Sequence, residues 1–201
     1  MQRRGSLGIS KRGFPRYLRK PLRPDDIIWS FAGLRPLQDD GQASASAATR
    51  DYELRLEADQ APLLTVFGGK ITTYRKLAES AVSKLAPETA PWTRGAPLPG
   101  GNFALEARAD LLARIAEQYP QLCARTQRRL LRSYGDEVFE VLGPPEELED
   151  LGGGLSRREV DWLIDREFAQ TPQDILWRRS KLGLHMTQEE QAHLAAYMGG
   201  R

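Results

Sequence analysis

The chain has 201 residues, of which 40% are apolar, and a formal net charge of only +2. That length allows one large domain or two small ones, the apolar share is enough for a core, and the composition argues against a disordered chain. No apolar run approaches the roughly 20 residues a membrane-spanning helix requires. A single cysteine, Cys123, excludes an internal disulfide, and two histidines with no CxxC or HExxH spacing argue against a metal enzyme.

Residues 1–24 form a basic arm. Arg3, Arg4, Lys11, Arg12, Arg16, Arg19, Lys20 and Arg23 occur there with no acid among them. The arm reads as a solvated terminus. An anionic membrane surface is the partner its charge also suits, and nucleic acid is not expected. Pro15 and Pro21 interrupt any amphipathic helix, so it is not a transit peptide of the usual kind.

Residues 26–37, DIIWSFAGLRPL, predict an apolar strand ended by Gly33 and Pro36. A small, polar loop follows. TRDYELRLE, 49–57, alternates Tyr52, Leu54 and Leu56 against Asp51, Glu53 and Arg55, which predicts a strand with one wet face. APLLTVFG, 61–68, predicts a buried strand. Thr72 or Thr73 then opens a helix whose buried stripe is Tyr74, Leu77, Ala81 and Leu85.

The stretch PETAPWTRGAPLPGG, 87–101, reads as a linker. Residues 102–201 read as all helix. One stripe is Leu105, Leu112, Ile115 and Tyr119; a second is Leu122, Thr126, Leu130 and Tyr134, with Gly135 ending that helix. SRRE (156–159) and TQEE (187–190) predict capping boxes, and TPQD (171–174) predicts an N-cap with proline at N1. In WRRSKLGLH the arginines predict a solvated face, with Ile175, Leu176 and Leu182 inward. The fold class is therefore α+β: a small partial sheet with one helix, then an all-α domain. So short a sheet would expose its edges, which suggests a piece of something larger.

The chemistry concentrates at GGKITTYR, 68–75. Two glycines let the backbone approach a ligand closely. The following helix start offers free N–H groups and the positive end of its dipole, and Lys70 adds a full charge. This suits an anion or a ring carbonyl gaining negative charge. It is not a phosphate-binding P-loop: Ile71 follows Lys70, and Leu64 stands where that motif needs glycine. Arg35 in GLRPL and Arg50 in TRDY each sit at a predicted strand end. With Lys70 they are candidates to converge on one phosphate, which arginine forks suit.

WSFAGLRPL, TRDYEL, LLTVFGGKITTYRKLAE, LPGG and WRRSKLGLH, in that order, resemble the C-terminal half of the FAD-dependent, quinone-linked glycerol-3-phosphate dehydrogenases. The likeness runs from about Leu22 to the C-terminus. It implies that residues 25–86 are a remnant of the FAD- and substrate-binding domain and that 102–201 are the helical C-terminal domain. It implies oxidation of glycerol 3-phosphate to dihydroxyacetone phosphate, with hydride passing to flavin and electrons to quinone. Arg35, Arg50 and Lys70 correspond to substrate-pocket residues; Gly69, Lys70, Ile71 and Thr72 correspond to the segment facing the flavin. Lys70 then acts electrostatically on the charge that hydride transfer creates.

The family's GxGxxG turn and its upstream histidine base are missing from this sequence. The chain alone is therefore expected to be inactive and not to hold FAD. The implied location is cytoplasmic, or peripheral on the inner face of the cell membrane, and a homo-oligomer stays open. The alternative is a non-catalytic fragment whose helical part docks a partner or a membrane surface. An oxidase passing electrons to oxygen shares all these motifs.

Overall fold

The structure, a computed structural model, describes residues 19–20, 23–31, 33, 51–59 and 61–201. Residues 1–18 of the basic arm and all of 34–50, Arg35 and Arg50 among them, lie outside these. The chain divides into two compact units, Met1–Ala96 and Pro97–Arg201.

The first unit opens with a 3-10 turn, Pro24–Asp26, whose Asp26 carboxylate accepts the Arg23 N–H at 2.7 Å. The strand expected from residue 26 does not form in the described part of the stretch. Residues 27–31 make no strand pairing, and Ile28 and Phe31 stand open to solvent. Apolar, β-branched sequence gives strand propensity, but a strand exists only where a neighbour completes its ladder.

Strands β1 (Glu53–Glu57) and β2 (Leu63–Phe67) pair antiparallel, with Glu53 opposite Phe67 and Arg55 opposite Thr65. A 3-10 turn, Ile71–Thr73, leads into α1 (Tyr74–Leu85). The helix begins where expected, but burial does not follow expectation. β2 was expected to be buried, yet Leu63 is 57% exposed, and of the helix stripe only Leu77 and Ala81 are half-covered while Tyr74 and Leu85 stay open. A two-stranded ribbon and one helix cannot supply a second layer for both faces. Thr93 anchors the following turn to α1: its hydroxyl donates to Glu79 at 2.6 Å, and Arg75 bridges to the same carboxylate at 2.7 Å.

The second unit holds α2 (Arg108–Gln118), α3 (Ala124–Tyr134), α4 (Val138–Leu142), α5 (Arg157–Asp165), a π-helical segment (Asp174–Arg179) and α6 (Gln188–Gly199). Every buried apolar side chain among the described residues lies here, between Leu111 and Leu194. Ile115 and Tyr119 close the α2 stripe, and the Tyr119 hydroxyl donates to the Gly143 carbonyl at 2.7 Å. Leu105 does not join them. It falls in a 3-10 turn ahead of α2 and is exposed, and Leu111 fills the core position instead. Thr126, Leu130 and Tyr134 are buried as the second stripe predicts, and Gly135, at φ 56°, ends α3. Ile175, Leu176 and Leu182 point inward below exposed Arg178 and Arg179.

The predicted caps form at Thr171 and Thr187, whereas the box predicted at SRRE closes only on the Ser156 side, because the Glu159 carboxylate is taken by Arg129 and Tyr134. Thr187 and Glu190 exchange reciprocal bonds at the start of α6, and the Ser156 hydroxyl accepts the Glu159 N–H at 3.1 Å. At TPQD, Thr171 and Asp174 bond each other reciprocally, and the Asp174 carboxylate also accepts the Gln170 N–H. Because this unit contains the whole described core, residues 97–201 alone are expected to fold and melt in one cooperative transition by circular dichroism. A gradual, non-cooperative loss of signal would refute this.

The Asp174 cap carries a pH signature. Hydrogen bonds from the backbone N–H groups of Thr171 and Gln170, then from the Thr171 hydroxyl, hold its carboxyl down at about 2, against 3.8 ordinarily. A depressed carboxyl contributes stability that is present above its unfolded value and is lost as pH falls through its folded one. Thermal stability should therefore decline between pH 4 and 2 as this contribution disappears. Asp174→Asn should flatten that decline; equal slopes for both proteins would refute the assignment.

Candidate functional site

The β2–α1 turn is built by two glycines with left-handed backbone, Gly68 at φ 69° and Gly69 at φ 109°. Such angles are costly for residues with a Cβ. The surroundings add a steric reason. A Cβ on Gly68 would stand 3.0 Å from the Asp51 carbonyl oxygen, and one on Gly69 would stand 3.2 Å from Leu77 Cδ1. The turn thus presses between the chain entering β1 and the first turns of α1. The Tyr52 and Ser80 hydroxyls, 3.1 Å apart, tie the chain entering β1 to the same helix.

Lys70 follows in extended conformation, and its ammonium donates to Asp51 Oδ1 at 2.6 Å. Its carbonyl accepts both the N–H and the hydroxyl of Thr73, at 3.0 and 3.1 Å. Thr73 therefore fastens the turn backward onto Lys70 instead of capping α1 forward. The Thr73 N–H makes the first backbone bond of the turn, so the amides of Ile71 and Thr72 precede it. Both residues are exposed, Ile71 at 89%. An open edge results: a cation, two early helix amides and a hydroxyl, with no side chain at 68 or 69 to obstruct a flat ligand.

Gly69, Lys70, Ile71 and Thr72 therefore lie together on this turn; Arg35 and Arg50 fall outside the described residues. Asp51 is the residue that sequence reasoning missed. The signal lay in the hairpin register: Glu53 opposite Phe67 brings Asp51 level with Gly69. The Lys70–Asp51 pair is solvent-exposed on both sides, at 45% and 76%. Pairs of that kind contribute about 0–1 kcal/mol, so Lys70 remains available to an incoming anion.

Residues 91–199 match the family described as the C-terminal domain of alpha-glycerophosphate oxidase. The chain belongs to this family. Among curated relatives it is 47% identical over 192 residues to a glycerol-3-phosphate dehydrogenase of Pseudomonas aeruginosa, covering 90% of this chain and 37% of the relative. It is 40% identical over 193 residues to the aerobic glycerol-3-phosphate dehydrogenase of Escherichia coli, covering 90% and 38%. A D-erythritol 1-phosphate dehydrogenase of Brucella abortus is 42% identical over 186 residues, covering 88% and 37%. The chain thus spans a little over a third of the length of these relatives. The alpha-glycerophosphate family domain lies wholly in the C-terminal part of the sequence, and the GGK turn precedes it.

Proposed function

We propose that this chain supplies the substrate-facing edge and the C-terminal domain of an FAD-dependent glycerol-3-phosphate dehydrogenase. The observation that carries the reading is the glycine turn ending in Lys70, in a chain whose similarity to dehydrogenases of sugar-alcohol phosphates extends over nine-tenths of its length. The turn fits a flavin edge: it has no side chains at 68 and 69, and it exposes the amide-bearing stretch from Lys70 to Thr72. FAD, when bound, supplies the acceptor for the hydride lost from the substrate carbon. Lys70 would stabilise negative charge there, and the amides of Ile71 and Thr72 would orient the ring edge. Arg50 and Arg35 would fork onto the phosphate of glycerol 3-phosphate and fix the carbinol. The histidine base expected of such an enzyme is not supplied by this sequence upstream of Arg35. The product is dihydroxyacetone phosphate, and quinone takes the electrons at the inner membrane surface. No helix among the described residues is long and apolar enough to cross a membrane, which fits peripheral attachment.

The roles separate kinetically. An arginine fork on phosphate acts about equally on ground and transition states, so Arg50→Ala should mainly raise KM. A charge-assisted hydrogen bond is worth roughly 1.5–3 kcal/mol, which corresponds to about one to two decades in kcat/KM. Lys70 faces charge that grows as the reaction proceeds, so Lys70→Met should lower kcat as well. Steady-state kinetics of both variants, in a protein of the relatives' full length, decide the matter. Changes within about twofold in both would remove the site from this turn. Assays with quinone and with oxygen identify the acceptor.

A further inference from the structure

The helical unit carries a second cationic surface that the reaction above does not use. Residues 97–201 contain twelve arginines. Seven pair with carboxylates, and Arg114 lies over the Phe139 ring. Four do neither: Arg108, Arg125, Arg128 and Arg132. Three of these four lie on α3 at spacings of three and four residues, hence on one stripe of the helix. They face away from its buried stripe of Thr126, Leu130 and Tyr134.

The stripe forms one wall of a groove of about 730 Å³. The opposite wall is the Asp150–Gly154 loop and the Ser180–His185 turn. Glycines bring that loop in: a Cβ on Gly154 would collide with the Thr126 hydroxyl, and one on Gly153 with the Met186 side chain. Asp150 is the one carboxylate lining the groove, and it accepts the N–H of Gly152 in its own loop at 2.9 Å. His185 and Ser133 line the same space, and both are exposed. A solvated arginine face needs neither a facing wall nor a deficit of acids.

We propose that this groove binds a small ligand carrying two or more phosphoryl groups, at a site distinct from the GGK turn. Arg125 and Arg132 are seven residues apart, roughly 10 Å along the helix axis. That span exceeds what one phosphate bridges and suits a bisphosphate or a di- or triphosphate held by successive arginine forks. A sheet of lipid headgroups would meet a convex face more readily than this recess between two walls.

Inorganic pyrophosphate is the probe, titrated calorimetrically into the 201-residue chain at low salt. Binding in the micromolar range is expected, tighter than that of orthophosphate and falling steeply as salt is raised. Each of Arg125→Gln, Arg128→Gln and Arg132→Gln should weaken it by about tenfold, and the triple variant should abolish it. Arg166→Gln, outside the groove, should leave it unchanged. All four positions are exposed, so unchanged thermal midpoints confirm intact folding. Cys123 lines the groove and gives a second readout: pyrophosphate should slow its alkylation by iodoacetamide in the parent chain but not in the triple variant. Pyrophosphate binding that is absent, no tighter than orthophosphate or indifferent to these substitutions would overturn the proposal. So would capture by phosphatidylglycerol vesicles through the same arginines without pyrophosphate binding.

Discussion

Replacing Glu159 by glutamine is expected to cost the helical unit about 3–5 kcal/mol. Glu159 is wholly buried, yet it is an acid. Arg129 reaches it from α3 with both arms of its fork, at 2.5 and 2.7 Å, and also donates to the Gly154 carbonyl at 2.8 Å. The Tyr134 hydroxyl donates to the same carboxylate at 2.8 Å. Burial first, then the neighbouring Glu159 charge, push the Tyr134 phenol upward, which favours the protonated form that donates to the carboxylate. Glutamine removes the charge and leaves the Arg129 guanidinium, only 18% exposed, without a counter-ion. Breaking one side of a buried pair is what makes the cost large. For a unit of about 100 residues this means a fall in Tm of more than about 12 °C. Replacing both partners, Arg129→Met with Glu159→Leu, should recover most of the loss, since no charge is then left stranded. Urea melts of the single and double variants test both statements. A Glu159→Gln loss below about 1 kcal/mol would show that the pair is hydrated and dispensable.

Gly135→Ala should be nearly as damaging, for a different reason. Gly135 sits at φ 56°, and a Cβ there would overlap the Gly100 carbonyl oxygen. Gly100, at φ 71°, would in turn drive a Cβ into the Tyr134 carbonyl. Two backbone segments therefore touch with nothing between them, and the Asp136 N–H bonds the Gly100 carbonyl at 3.2 Å. Alanine must bear about 1–3 kcal/mol for a backbone at φ 56° and ψ −128°, which residues with a Cβ rarely adopt. It must also push the turn at Gly100 away and lose about 1 kcal/mol of hydrogen bonding. About 3 kcal/mol in all is expected. Gly199→Ala is the contrast, because a Cβ there meets nothing within 4 Å and the residue closes α6. It should be neutral or slightly stabilising. Similar melts for the two variants would remove steric contact as the explanation.

Local signals were legible in the sequence. Ser156, Thr171 and Thr187 were readable as caps because a cap is decided within four residues. The lysine-bearing turn was readable because Gly68 to Thr72 are contiguous. Long-range pairings were not. Glu159 fits the capping-box spacing after Ser156, and only the fold shows its side chain spent on Arg129, thirty residues away. Asp51 became a partner of Lys70 through the hairpin register, which alternation alone does not fix. The stripe on α1 was read as buried because periodicity reports amphipathicity, whereas burial requires a covering layer, which the described residues of this unit do not provide.

The π-helical segment Asp174–Arg179 bears on how the chain tolerates changes of length. One residue added to an α-helix rotates everything after it by about 100° and would turn an inward face outward. A wide turn, such as the one closed by the Ser180 N–H on the Ile175 carbonyl, absorbs that residue on the spot. Ile175, Leu176 and Leu182 all stay inside despite it. A one-residue deletion between 174 and 179 therefore has a ready outcome, an ordinary α-turn with the same side chains facing the core. The same deletion in α3 or α5 has no such outlet, and gaps between family members should fall in the first place and avoid the second.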